Sequence, residues 1–270
     1  GPSEGIRQIT PHLTKLGVST TVLTLDHPDS TWLKNGSFKA IGLGPVVGKY
    51  GYLHGLATCI KKFALNYDVV IIHGIWQYHS LATWRALSGT NIPYFVYTHG
   101  MLDPWFKRTY PLKHLKKWAY WPWGDYRVLR NAYAVLFTTE QERILASQSF
   151  WLYSANEIVV GYGTNPPPDD ADLQRKAFLK RFPHLIGKRV LLFMSRIHPK
   201  KGVDLLIEAF SSIVSLDNTL ALVIAGPDQI GIQTKLMART DELGISNRIT
   251  WTGMLSEELK WGALRCAELF

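Results

Sequence analysis

With only two cysteines in 270 residues, Cys59 and Cys266, the chain has no material for a disulfide framework. The pair lies far apart with no histidines at ligand spacing, so a structural zinc site is excluded too. Long apolar runs are also missing: none approaches the ~18 residues that a membrane-crossing helix requires. The N-terminus lacks a basic region leading into an apolar core, the pattern of a secretory signal. A reducing, cytoplasmic setting is expected. Acidic residues are the scarcer charge. Against 30 Lys and Arg stand 21 Asp and Glu, for a formal net charge of +9. Such an excess favours anionic partners, whether nucleotide sugars, acidic lipid headgroups or nucleic acid, without choosing among them. Hydrophobic residues at 46% with charged residues at 19% place the chain among globular folds rather than disordered ones.

What is present is an alternation of helices and short apolar strands. Residues 3–16 read as a helix stopped by Gly17, and Val18 to Leu25 as a strand. A strand near Phe38 to Leu43 precedes a helix from about Tyr52 to Leu65. Val69 to Ile72, Tyr94 to Tyr97 and Ala134 to Phe137 are further strands, each trailed by a helical stretch. This is the rhythm of a parallel, doubly wound sheet. The segment TNPPPDDADLQ, residues 164–174, then reads as a linker. After it the rhythm restarts. Strands at Arg189 to Met194, Leu220 to Ala225 and Arg248 to Trp251 alternate with helices near Val203 to Val214 and Gln233 to Leu243. The expected architecture is α/β, with two doubly wound Rossmann-like domains at 1–165 and 170–270. There is no internal repeat and no low-complexity tract.

The most informative stretch is SRIHPKKGVDLLIEAF, residues 195–210. Val203, Leu206, Ile207 and Phe210 fall at i, i+3, i+4 and i+7, one apolar helical face. Arg196, Lys200 and Lys201 sit between the preceding strand and that helix, with Gly202 closing the turn. A helix start offers free N–H groups and a dipole that favours an anion, so added cations there suit a diphosphate. The plainer reading is a solvated basic turn. Two histidines, His73 and His99, each stand at a strand end followed by Gly74 and Gly100. Doubly wound sheets hold ligands at that edge, although a lone histidine is more often structural. Gly226 in IAGPDQ and Gly253 in WTGML follow strands in the second half, as ligand-loop or simple turn glycines. From Trp105 to Arg130, seven cations are interleaved with Trp and Tyr against the single acid Asp125. Lys116 and Lys117 lie in this stretch. It suits an anionic membrane interface or single-stranded nucleic acid, or is a surface helix whose aromatics pack inward.

Arg196, four residues, Lys201-Gly202, then Asp204 and Glu208: this string resembles the signature of the retaining glycosyltransferases of family 4, the "glycosyl transferases group 1" proteins. The resemblance implies the GT-B architecture, with the ligand between two Rossmann-like domains. It implies a nucleotide-sugar donor as co-substrate, whose diphosphate Arg196 and Lys201 hold as it leaves. His99 would be the histidine that contacts the donor sugar, and the loops of Gly226 and Gly253 would surround the base and ribose. Gly1, with Pro2 and Ser3, would be the tail of a glycine-rich donor-side turn. His73, Trp105, Lys116 and Lys117 are assigned to the acceptor or membrane side. The family scheme needs no metal, and no Asp-x-Asp clamp is present.

Family members start with a strand before that glycine turn and continue past CAELF, residues 266–270, into a paired-glutamate motif. A chain cut at both ends, with an incomplete second domain and little activity alone, is therefore expected. The implied acceptor is a glycan or lipid-linked saccharide of polysaccharide assembly, met at the inner face of a membrane. A sugar-nucleotide epimerase and a nucleic-acid-binding protein are the alternatives. Nucleic acid is not expected as a partner, because no RNA- or DNA-binding motif is present.

Overall fold

The computed structural model describes residues 2–34, 38–255 and 257–270. The chain divides into two compact units, residues 1–165 and 166–270. In the first unit the strands are β1 (Thr21–Thr24), β2 (Lys39–Gly42), β3 (Val70–His73), β4 (Tyr94–Tyr97), β5 (Ala134–Phe137) and β6 (Glu157–Val159). Its helices are α1 (Pro2–Lys15), α2 (Thr31–Lys34), α3 (Leu56–Ala64), α4 (Tyr78–Leu87), α5 (Trp105–Thr109), α6 (Pro111–Tyr120), α7 (Asp125–Arg130) and α8 (Glu140–Ala146). The second unit holds α9 (Ala171–Arg181), β7 (Arg189–Met194), α10 (Val203–Ile213), β8 (Leu220–Ala225), α11 (Gln233–Glu242), β9 (Ile249–Gly253), α12 (Glu257–Cys266) and β10 (Ala267–Leu269). No helix among the described residues is long and apolar enough to cross a membrane.

All strand pairing within these sheets is parallel. The first unit's main sheet runs β3-β4-β5-β6. Its central strand β5 is buried at all four residues, which is why the run Ala134 to Phe137 carries no polar side chain. Among the described residues β1 and β2 pair with each other in parallel. The strand read from Val18 to Leu25 is shorter than expected, since Val18 is exposed and pairing is confined to Thr21–Thr24. The main-sheet core comprises Ile72, Val96, Val135, Phe137, Trp121, Val128 and Leu129, with Leu56 and Ile60 of α3 and Leu81 of α4. The end of the unit is stitched to α1. Gln8 Oε1 accepts from Thr164 Oγ1 at 2.6 Å and from the Asn165 N–H at 3.1 Å, and His12 pairs with the Asn165 side chain at 2.8 Å.

The second unit's sheet runs β10-β7-β8-β9. All six residues of β8 are buried, and alternate side chains go to opposite faces. Leu220, Leu222 and Ile224 join Val203, Ile207 and Phe210 of α10 and Leu236 of α11. Ala221, Val223 and Ala225 join Phe178 of α9 and Ala263 of α12. The face predicted for α10 is thus the buried one. Each large aliphatic side chain taken out of water on these two faces contributes about 1.5–3 kcal/mol. The residues after Cys266, not read as a strand from the sequence, form β10 beside β7, where Arg189 pairs with Asp217 and Glu268.

On the second of these faces α9 and α12 cross closely at Gly262. A Cβ there would lie 2.3 Å from the Gln174 carbonyl oxygen and 2.7 Å from Phe178 Cβ. Alanine is ordinarily the better helix former by about 1 kcal/mol. Here the collision is with backbone, and overpacking costs about 1–3 kcal/mol. Gly262→Ala is therefore expected to lower the stability of the second unit, read as a lower urea midpoint. A raised midpoint would show that the helices separate freely.

Candidate active site

Chemistry-bearing residues gather at the carboxyl ends of the parallel strands in each unit. In the second unit, β7 ends at Met194 and the chain turns through Ser195 and Arg196. Ser195 N–H donates to the Ala225 carbonyl at 3.0 Å, Gly226 N–H to Gly253 at 2.8 Å, and Ile197 N–H to Pro227 at 3.0 Å. The strand-end loops of β7, β8 and β9 are thereby joined, and the structure brings Gly226 and Gly253 together. Gly226 has φ +147°, and a Cβ on it would lie 1.8 Å from the Ser195 carbonyl oxygen. Only glycine fits that approach. Arg196 is exposed and reaches Gln229 Oε1 at 3.4 Å.

After the fully buried Ile197, a tight 3₁₀ turn spans Pro199–Lys201. The His198 ring accepts from the Lys200 N–H at 3.1 Å, and Gly202, at φ +68°, swings the chain into α10. As the N-cap of α10, Gly202 supplies no side-chain acceptor, so none of its own atoms blocks the first-turn amides. Lys201 is exposed beside that helix start. Asp228, not singled out from the sequence, accepts from the N–H groups of Ile230, Gly231, Ile232 and Gln233 and fixes the loop after β8.

In the first unit the structure brings His73 and His99 together. His73 is the last residue of β3 and pairs in register with Tyr97 of β4, two residues before His99. His73 Nδ1 lies 3.0 Å from His99 Nε2, and both rings stack with Tyr97 at centroid distances of 5.3 and 5.5 Å. Tyr162 stands edge-on to His99 and Tyr97, with Gly5 of α1 directly behind it. Burial, reinforced by the neighbouring His99 and His79, pushes the His73 pKa down to about 4. Burial also lowers that of His99, with the Glu142 carboxylate opposing. Both imidazoles are therefore neutral at pH 7, so the contact between them joins one N–H to one ring acceptor.

His99 adopts φ +49°, a left-handed conformation that costs a non-glycine residue about 1–2 kcal/mol. Glu142 holds it there. Its Oε1 accepts from Gly100 N–H at 2.7 Å and Thr98 Oγ1 at 3.0 Å, and its Oε2 from Thr138 N–H at 2.9 Å and Thr138 Oγ1 at 2.7 Å. Burial raises the Glu142 pKa, but these four bonds outweigh it and the net shift is downward. Hydrogen bonds to a charged group contribute about 1.5–3 kcal/mol each, enough to offset the strained backbone. The sequence analysis missed Glu142. Its signal was Thr139-x-x-Glu142 after a strand, a capping-box spacing in which Thr139 does cap α8 at 3.1 Å.

The remaining assigned residues lie elsewhere. Trp105 opens α5, packed edge-on to Phe106 and Tyr110, and Lys116 is exposed on α6. Lys117 turns inward, its Nζ 4.3 Å from the centre of the Trp76 ring, and burial lowers its pKa. Trp76 itself has φ +73°, donates its N–H to the buried Asp125 at 2.9 Å and its indole N–H to the Met101 carbonyl at 3.1 Å. Gly1 lies outside the described residues.

Comparison with known proteins gives the family. The family model described as "Glycosyl transferase 4-like domain" matches residues 1–163, and "Glycosyl transferases group 1" matches 175–270. The chain belongs to the glycosyl transferase 4-like family. It is 28% identical to alpha-D-kanosaminyltransferase of Streptomyces kanamyceticus over 150 residues, 54% of this chain and 38% of that enzyme. It is 32% identical to D-inositol 3-phosphate glycosyltransferase of Mycobacterium sp. (strain JLS) over 155 residues, 54% of this chain and 33% of that enzyme. These alignments thus span 38% and 33% of the two curated relatives, well short of their full length. The Anabaena HepE structure in complex with UDP and glucose superposes with a TM-score of 0.64 at 17% identity, covering 95% of this chain and 67% of that one. At that identity the likeness shows the fold, two parallel α/β units of the GT-B class.

In this glycosyl transferase 4-like chain the neutral histidine pair makes stability depend on pH. Unfolded, the His73 imidazole protonates near 6.5; folded, it does so only near 4. The unfolded state therefore binds more protons in that window, so the contribution is complete above about pH 6.5 and is lost as pH falls towards 4. Between about pH 7 and pH 5, His73 alone is expected to remove about 2 kcal/mol of first-unit stability. Denaturant unfolding at both pH values checks this, and His73→Gln should flatten the dependence.

Proposed function

We propose that the chain belongs to a retaining, hexosyl-type glycosyltransferase that uses a nucleotide-sugar donor. The observation that carries this reading is the open start of α10, with Lys201 beside it and Arg196 on the same connection, adjoining the joined Gly226 and Gly253 loops. Residues 170–270 would hold the donor and residues 1–165 the acceptor. Arg196 and Lys201 take the donor diphosphate and neutralise its charge as the anomeric C–O bond breaks, so no metal is called for. The acceptor oxygen forms its bond to the anomeric carbon on the face the diphosphate leaves, and the departing phosphate oxygen takes the acceptor proton. His99, neutral and held by Glu142, contacts the sugar; His73 buttresses it from the acceptor side. The UDP and glucose bound by HepE favour a uridine nucleotide. Acceptors of polysaccharide or lipid-linked glycan synthesis, met peripherally at the cytoplasmic face of an anionic membrane, fit the basic aromatic helices α5–α7.

Calorimetric titration of the chain with UDP, GDP and ADP, with and without magnesium, tests the donor assignment. One nucleotide is expected to bind irrespective of metal, and Lys201→Ala to abolish that binding. In an enzyme with measurable transfer, Arg196→Ala or Lys201→Ala should lower turnover about a hundredfold or more. Turnover within threefold of the parent would remove both residues from the reaction. Donor consumption without any acceptor would instead favour an epimerase or hydrolase.

A further inference from the structure

Helix α6 is turned inside out. It contains no buried residue, yet Leu112, Leu115 and Trp118 follow one another at i, i+3 and i+6, so their side chains line one side of the helix. They are 80%, 62% and 45% exposed. The side chains that turn inward are polar or aromatic: His114 stacked on the buried Phe150, Lys117 on Trp76, and Tyr120 bonded to Tyr50. The exposed row is extended by Trp151 of a neighbouring loop, 69% exposed, with its ring 6.3 Å from that of Trp118. An amphipathic helix covering a protein core shows the opposite arrangement. The surroundings carry one sign of charge. Lys113 and Lys116 of α6 itself and Lys107 and Arg108 of the preceding α5 are exposed. Between Asp103 and Asp125 there is no acidic residue, and Asp125 is buried under Trp76 and Ser80.

We infer that the Leu112, Leu115, Trp118 and Trp151 row of α6 is a docking face for an anionic lipid bilayer, on which the helix lies flat. Charge selects this occupant. Aliphatic and indole side chains enter the boundary between headgroups and acyl chains, and the surrounding cations meet lipid phosphates. A second copy of the chain would bring the same cations face to face without acids to answer them. The inference rests on the proposed membrane-borne acceptor, and it adds which surface makes the contact and how the rest is oriented. Lys117 ties α6 to Trp76, three residues beyond His73. Seating the helix on the bilayer therefore holds the strand-end loop of His73 at a fixed distance from the lipid surface.

Flotation with phosphatidylglycerol-containing vesicles, compared with pure phosphatidylcholine vesicles, tests this on the whole chain. Binding is expected only to the anionic vesicles. The triple variant Leu112→Gln, Leu115→Gln, Trp118→Gln should lower the partition coefficient about tenfold or more, while Leu216→Gln, an exposed leucine of the second unit, should leave it unchanged. All four positions are exposed, so folding is preserved and circular dichroism verifies it. Equal flotation of the triple variant and the parent overturns the proposal, as does equal binding to neutral vesicles. A concentration-dependent dimer that the triple variant dissolves, without vesicle binding, also overturns it. Nucleotide titration of the same variant separates the readings, because failure of docking with intact nucleotide binding leaves the transferase proposal standing.

Discussion

In a sheet whose strands all run the same way, every strand delivers its last residue to one edge, and each return must cross a face as a helix. That constraint organises both units. In the second, β8 is buried along its whole length, so it can be covered only by helices on both faces, and the edge beyond Ala225 is where polar loops can emerge. Ser195, Gly226 and Gly253 meet there because neighbouring parallel strands end in step. In the first unit the same rule sets His73 beside Tyr97 and hence within hydrogen-bonding distance of His99.

The parts of this fold that were legible in the sequence are the strands with the longest apolar runs, of which β5 and β8 are buried throughout. Tyr94 to Tyr97, Ala134 to Phe137, Arg189 to Met194 and Leu220 to Ala225 are strands with the bounds expected from their apolar runs. Burial on both faces leaves no room for polar residues, so the signal is strong. The strand Glu157–Val159 was not legible: it is three residues long, edge-placed and partly exposed.

Of the candidate site, the basic turn from Arg196 to Gly202 could be read as a strand-to-helix turn because its residues are contiguous. The histidine pair could be read only as two separate strand-end residues; their contact spans 26 positions. Glu142 was hidden for a related reason. Its spacing advertised a helix cap, while its carboxylate is committed to residues on two different strand ends. Likewise the basic aromatic segment announced its composition but not its orientation. Only the structure shows that a lysine faces in and leucines face out.

The closeness of Gly226 to the Ser195 carbonyl has a bearing on how such a protein could diversify. A position that admits no side chain is closed to adaptation, because every substitution must first displace the backbone that carries Arg196. Changes in ligand preference would have to enter where the loop has room, as at Gln229, whose amide already touches the guanidinium. The floor of the site is rigid by sterics and its rim is free to vary, so a library aimed at new specificity belongs on the rim.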